Sequence, residues 1–209
     1  VYLFSMVGIH PIRPRSSEAL ALEARAMDNL SYIRKTMEGA SSFTAVPGWG
    51  GMLMGITALV AAFIASVQPA PALWLGVWIV EAAVSCLIGA VAMLQKARKA
   101  ETPLLSQPGR RFALSLSPPL VAGALLTLFL FRAGSLEILP ALWLLLYGAG
   151  VVTGGAYSVR VVPAMGLAFM VLGTAALFSP AAWGDTYMAV GFGGLHLIFG
   201  AIIAWRHGG

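Results

Sequence analysis

The sequence predicts an all-α fold: a polytopic transmembrane helical bundle of six spans, built as three similar hairpins and preceded by an amphipathic helix. Three observations predict it. Apolar stretches at about 49–67, 72–94, 112–131, 138–158, 161–178 and 187–205 each approach the roughly 20 residues that cross a hydrocarbon core. Charges gather at the ends of these stretches, not inside them. The stretches also share sequence marks that recur along the chain. Of 209 residues, 59% are hydrophobic and 10% charged, whereas soluble domains carry about 25% charged residues. So few charges do not cover the surface of a soluble globule, and lipid is the solvent for much of this chain.

Residues 1–15, VYLFSMVGIHPIRPR, read as an extended tail. Each proline disfavours helix at the residue before it. The apolar start is too short to span and has no basic segment before it, so it is poorly formed as a signal peptide. Residues 16–39 read as a helix outside the lipid core, amphipathic and cytoplasmic or interfacial. Ser16 or Ser17 caps it, Glu18 lies in the first turn and Gly39 ends it. Leu20, Met27, Leu30, Ile33 and Met37 share one broad arc, which Glu23 and Arg34 interrupt. Such an arc suits either a membrane surface or a partner protein. Residues 40–209 hold the six spans.

The second span is the clearest. From Ala72 to Leu94 it has a single charge, Glu81, in 23 residues, about 34 Å of helix. Trp74 and Trp78 near its start suit a membrane interface, and Lys96 and Arg98 follow its end. Across the chain, 12 of the 13 Lys and Arg residues fall on one side of the spans and only Arg132 on the other. This asymmetry predicts a membrane protein with both termini cytoplasmic. It also accounts for the net charge of +5 without a nucleic-acid partner. The lone cysteine, Cys86, forms no intramolecular disulfide and no metal site is expected.

The repeat is visible in three marks. Pro71–Leu75 and Pro140–Leu144 both read PALWL, and Pro180-Ala181-Ala182-Trp183 is a weaker copy. Val46-Pro47-x-x-Gly50-x-x-x-Met54 matches Val162-Pro163-x-x-Gly166-x-x-x-Met170. The even spans carry Gly89-Ala90, Gly148-Ala149 and Gly200-Ala201. Proline is tolerated in a first helical turn, and small residues let helix backbones approach closely. Gly51-x-x-x-Gly55 and Gly150-x-x-x-Gly154 have the same close-packing spacing. Pro118-Pro119 is the one good candidate for a broken span.

PGWGGMLMGITALVAA (47–62), GRRFALSLSPPLVAGALLT (109–127), LLLYGAGVVTGGAYSVR (144–160) and GFGGLHLIFGAIIAWRHGG (191–209) resemble a family of uncharacterised bacterial six-span membrane proteins. The resemblance runs from about residue 28 onward and implies no activity or catalytic residue. More distantly, the chain is similar to accessory subunits bound around a bacterial homodimeric type I photosynthetic reaction centre. That similarity implies a chlorophyll-type pigment or bound lipid as cofactor and other membrane subunits as partners.

Two polar residues stand inside the spans. Glu81 lies ten residues from Pro71, where an acid costs several kcal/mol unless protonated or paired. It reads either as a proton or cation site or as a neutral acid bonded between helices. His196 lies mid-span with Gly193 at i−3 and Gly200 at i+4, so its own face is bare. That slot suits a tetrapyrrole with His196 as axial ligand, or a histidine bonded to a neighbouring helix across a close crossing. Gly150, Gly154, Gly193 and Gly200 are then a packing or cofactor face. Glu81 and His196 are expected at similar depth, with close approach between them open. Lys96, Arg98, Lys99, Arg110 and Arg111 form a basic loop suited to anionic lipid or a partner.

No GxSxG, HExxH, CxxC, P-loop or Rossmann fingerprint is present, and no enzyme is expected. Two classes compete. One is a non-enzymatic integral membrane subunit that packs against and stabilises a larger energy-converting complex, with membrane lipids and other subunits as partners. The other is a small transporter, channel or membrane sensor using Glu81. Repeated hairpins suit the second, but transport folds show more polar lining and more broken helices.

Overall fold

The computed structural model describes residues 16–40, 43–99 and 106–207. The expected extended tail at 1–15 and residues 100–105 of the basic loop lie outside them. The described residues are 89% helical, with no strands. It divides into two units, Val1–Ala40 and Ser41–Gly209.

In the first unit, α1 runs Ser16–Ala40. Leu20, Met27, Leu30, Ile33 and Met37, the apolar arc, are all exposed, as are Leu22 and Tyr32. At about 100° per residue Leu22 widens the arc and Tyr32 falls on the other side. The helix therefore carries bare apolar side chains over more than one face.

The second unit contains α2 (Gly48–Ser66), α3 (Pro71–Lys99), α4 (Gln107–Ala133), α5 (Leu139–Gly155), α6 (Val161–Leu177), α7 (Gly184–Met188) and α8 (His196–His207). Short 3₁₀ turns at Leu136–Ile138 and Ala181–Trp183 lead into α5 and α7. Five helical stretches are long and apolar enough to cross a membrane: α2, α3, α4, Leu136–Gly155 and Ala181–His207. The expectation was six. The remaining helix, α6, has 17 residues, about 25 Å at 1.5 Å per residue against a core of about 30 Å.

Successive helices alternate in direction, and contacts at each end fix that alternation. At the basic end, Lys96 Nζ donates to the carbonyls of Val46 and His207, each at 3.0 Å. This joins the end of α3, the start of α2 and the end of α8. There too the chain before α2 is tucked inward. Phe43 is buried against Phe112, with ring centroids 5.0 Å apart. Its N–H donates to Tyr157 O at 2.6 Å, and Ser158 Oγ donates to Phe43 O at 2.6 Å. At the opposite end, Trp74 Nε1 donates to Asp185 at 2.6 Å, joining α3 to α7.

Glycines set the closest crossings. A Cβ on Gly148 would lie 2.7 Å from Gly166 O, and one on Gly55 2.8 Å from Gly193 O. Neither distance is one that real side chains show, so these positions hold α5 on α6 and α2 on the last helix by backbone contact. α2 packs against α3 and α8, and α5 against α4 and α6. The final helix thus leans chiefly on α2 rather than on α6, its neighbour in the chain. Three equal hairpins do not describe this packing, although each Gly-Ala mark sits at a crossing: Gly89 by Met54, Gly148 by Gly166, Gly200 by Gly48. The four most deeply buried large side chains, Phe169, Leu139, Leu144 and Met188, lie on α6, α5 and α7.

Pro118 and Pro119 do not break α4, which runs through them. Prolines at 118 and 119 lack the N–H groups that would bond the carbonyls of Leu114 and Ser115. Both carbonyls find other donors. Ser117 Oγ donates to Leu114 O at 3.3 Å. Thr153 Oγ1, from α5, makes its shortest contact with Ser115 O at 2.8 Å. Hydroxyls replacing missing amides are how spanning helices tolerate proline.

This pairing gives a test. Thr153→Val is expected to cost about 1–3 kcal/mol by leaving Ser115 O without its donor. In a Pro119→Ala background, which restores the amide, the same change is expected to cost markedly less. A thermal-unfolding cycle in detergent reads the difference, and equal costs in both backgrounds would show that Thr153 is not serving that carbonyl.

Candidate functional site

The last helix is not the uniform α-helix its apolar run predicts. Ala189–Leu195 is π-helical, a widened turn of the kind often found at functional sites. Its sequence, AVGFGGL, has three glycines in seven residues. A Cβ on Gly191 would collide with Leu144, and one on Gly193 with Leu59. The wall of the turn is thin there, and side chains from α5 and α2 press into it. His196 follows at once as the first residue of α8.

His196 is only 5% exposed. Its Nδ1 lies 3.0 Å from the Phe192 carbonyl, and its Nε2 lies 2.8 Å from the Tyr147 hydroxyl. A carbonyl only accepts, so Nδ1 carries the hydrogen. In the neutral ring Nε2 is then the acceptor, and Tyr147 donates to it. Around this pair stand Phe169 and Phe192, with centroids 5.3 and 6.2 Å from the imidazole, while the Tyr147 ring is at 5.4 Å. The ring therefore has both nitrogens engaged and aromatic neighbours on several sides.

Of the two readings of His196, this geometry does not fit the tetrapyrrole ligand. An axial ligand needs a free nitrogen and an open face. Nε2 belongs to Tyr147, and the bare face is occupied by protein. A Cβ on Gly193 would fall on the Leu59 side chain, and one on Gly200 would lie 2.9 Å from Gly48 O. Gly150 and Gly154 are closed in the same manner by α4, with Leu116 O and Phe112 O each 3.2 Å from an added Cβ. All four glycines of the expected packing or cofactor face meet helices of this same chain.

Glu81 is a separate centre. It is 8% exposed and sits on the α3 face turned toward α2. Its Oε1 lies 2.9 Å from Thr57 Oγ1 and 2.6 Å from Ser85 Oγ. Glu81 and His196 are not bonded to one another among the described residues, and their partners are not shared. They are two separate polar groups: Glu81 meets two hydroxyls, and His196 meets one hydroxyl and one backbone carbonyl. Their partners Thr57 and Tyr147 lie on α2 and α5. No spacing rule in a single chain pairs Glu81 with a threonine 24 residues earlier. Ser85, at i+4 on the same helical face, was the one partner open to sequence reasoning.

Toward the end away from the basic residues lies a tryptophan cluster. Trp74 stacks on Trp143 at 5.8 Å, and Trp143 Nε1 donates to the buried Thr127 at 2.8 Å. Trp78, expected at a membrane interface, is instead buried, with its Nε1 lacking a hydrogen-bond partner. At the basic end Arg98, Lys99, Arg110 and Arg111 are exposed, whereas Lys96 is half-buried on the Val46 and His207 carbonyls. The Arg111 guanidinium lies 6.0 Å over the Tyr157 ring. No group of three or more His, Cys, Asp or Glu able to hold a metal occurs among the described residues. No protein-family model matches the chain, and no curated protein or solved structure matches it significantly.

Tyr147→Phe is expected to cost about 1–3 kcal/mol, because it strands the buried Nε2 of His196. Adding His196→Phe removes the stranded atom, so the double variant is expected to lose less than the two single losses added together. Thermal unfolding of the four proteins measures this coupling, and strict additivity would argue against the Tyr147–His196 bond.

Proposed function

We propose that this protein is a non-enzymatic integral membrane subunit that packs against and stabilises a larger energy-converting membrane complex. In this reading all six apolar helices cross the bacterial inner membrane. The short α6 does so with help from the turns flanking it, and the basic end with both termini faces the cytoplasm. The photosynthetic reaction centre is the partner that the sequence resemblance suggests.

The observation that carries the reading is α1. Leu20, Leu22, Met27, Leu30, Ile33 and Met37 are large, apolar and exposed on one helix. Its charges nearly cancel, with Arg25, Arg34 and Lys35 against Glu18, Glu23, Asp28 and Glu38. A helix built for anionic lipid is more basic than this, so a protein surface is the better match. The exposed Arg98, Lys99, Arg110 and Arg111 add a basic surface, suited to lipid headgroups or to an acidic partner.

The alternative, a small transporter, channel or sensor, is favoured by one observation: a buried Glu81 with two hydroxyls on one of its oxygens. Gentle native extraction from the source membrane separates the two. The full chain is expected to migrate with other subunits, and a chain lacking residues 1–39 is expected to migrate apart from them with its thermal stability kept. A full chain that migrates alone would overturn the assembly reading and move the weight to Glu81.

A further inference from the structure

On the reading of α1 as a protein-binding helix, we infer that its partner is a second copy of this chain. The two copies join as an antiparallel two-stranded coiled coil, in which Glu23 of each meets Arg34 of the other. Leu20, Glu23, Met27, Leu30, Arg34 and Met37 stand alternately three and four residues apart along a 25-residue helix. That is the spacing of a coiled-coil seam, whose mean of 3.5 residues keeps one stripe of a helix facing its partner. Leu20, Met27, Leu30 and Met37 are 62–69% exposed, and Glu23 is exposed with them. The flanking Ala24, Ala26 and Ser31 are small, so a second helix fits closely against the stripe. Arg25, Asp28, Asn29, Tyr32 and Thr36 fall toward the opposite side.

The two charges that interrupt the apolar arc decide direction and register. In a parallel pair in register each seam residue meets its own copy, so Glu23 faces Glu23 and Arg34 faces Arg34. Like charges opposed in an interface are strongly unfavourable. In an antiparallel pair with its two-fold axis between Asp28 and Asn29, Leu20 meets Met37 of the other copy, Glu23 meets Arg34, and Met27 meets Leu30. All six layers are then matched, apolar to apolar and acid to base. Sliding one helix by a heptad sets Glu23 against Met27, or Arg34 against Leu30, and leaves layers unmatched at the ends. A charge set against an apolar side chain loses water without gaining a partner.

The two-fold pair is closed, because each copy offers the other the same patch. Copies held in one bilayer also meet at a raised effective concentration, which favours a seam of only about three and a half heptads. The exposed Leu22 and Tyr32 lie off the seam and are left for other subunits.

Full-length chains carrying two different affinity tags, co-expressed in a bacterial membrane that lacks the other subunits, test this. Wild-type copies are expected to co-purify in mild detergent. Glu23→Arg and Arg34→Glu each oppose like charges in two layers, and each is expected to lower recovery of its own second copy about tenfold or more. Mixed together, the two variants restore opposite charges in both layers, so each is expected to recover the other as well as wild type recovers itself. A variant that has merely lost its fold gains no partner in this way. Direction is read with cysteines in a Cys86→Ser background. Leu20→Cys mixed with Met37→Cys is expected to cross-link, whereas Leu20→Cys alone is not, its two thiols lying about 25 Å apart. Wild-type copies that do not co-purify, pairing that ignores both charge changes, or Leu20→Cys chains that cross-link to one another would overturn the proposal. With no other subunit present, none of these outcomes bears on the assembly reading, which the native extraction decides.

Discussion

In hydrocarbon every backbone and side-chain polar group must find its partner inside the protein, and this requirement shapes each irregular place in the bundle. Pro118 and Pro119 free two carbonyls of α4, and Ser117 and Thr153 supply the hydroxyls that take them. The widened turn before α8 brings the Phe192 carbonyl to the His196 imidazole, whose other nitrogen then takes the Tyr147 hydroxyl. Glu81 draws on Thr57 and Ser85. In each case the compensating group is a hydroxyl or a ring nitrogen. Charge-to-charge pairing plays no part in these three places. The bundle tolerates two prolines and two ionisable residues by spending neutral donors on them.

The close crossings are the second half of the same economy. Where Gly148 meets Gly166 and Gly55 meets Gly193, the helix backbones touch without intervening side chains. Dispersion contact replaces the hydrophobic drive that lipid does not provide. The same glycines that look in one dimension like a bare wall for a flat cofactor are, in three, the places where helices lie against each other. A glycine face has two readings, and only the position of the neighbouring helix decides between them.

Much of the fold was legible in the sequence because the forces that set it are local. Each apolar run fixes a helix, and each basic cluster marks an end. α2 and α6 follow their apolar runs to within about a residue of the expected bounds. Less legible were features that depend on who the neighbour is. Pro118-Pro119 reads as a break only when Thr153 is unknown. The two readings of His196, ligand or bonded histidine, stay open only while Tyr147 is unknown. The repeat marks do not show that α8 packs chiefly on α2. The π turn had a trace in Gly191, Gly193 and Gly194, yet that composition equally suits close packing in a regular helix. Glu81 was found from its lone charge in an apolar run, while its partner Thr57 lies on a different helix.

The pairing of α2 with α8 bears on how the chain is made. A membrane protein is made from its N-terminus, so α2 is made before α8. About 130 residues separate the end of one from the start of the other. At ribosomal rates of about 5–20 residues per second, that is a wait of roughly ten seconds. Through that interval the glycine face of α2, with Gly48, Gly51 and Gly55 on it, has lipid tails where Ala204, Gly200 and Leu197 will later lie. Lys96 likewise waits at the end of α3 for the His207 carbonyl. The α2 face that α8 covers is therefore bare of its partner helix until α8 is made. A chain stalled or cut before α8 would present that bare face to the quality-control proteases of the membrane.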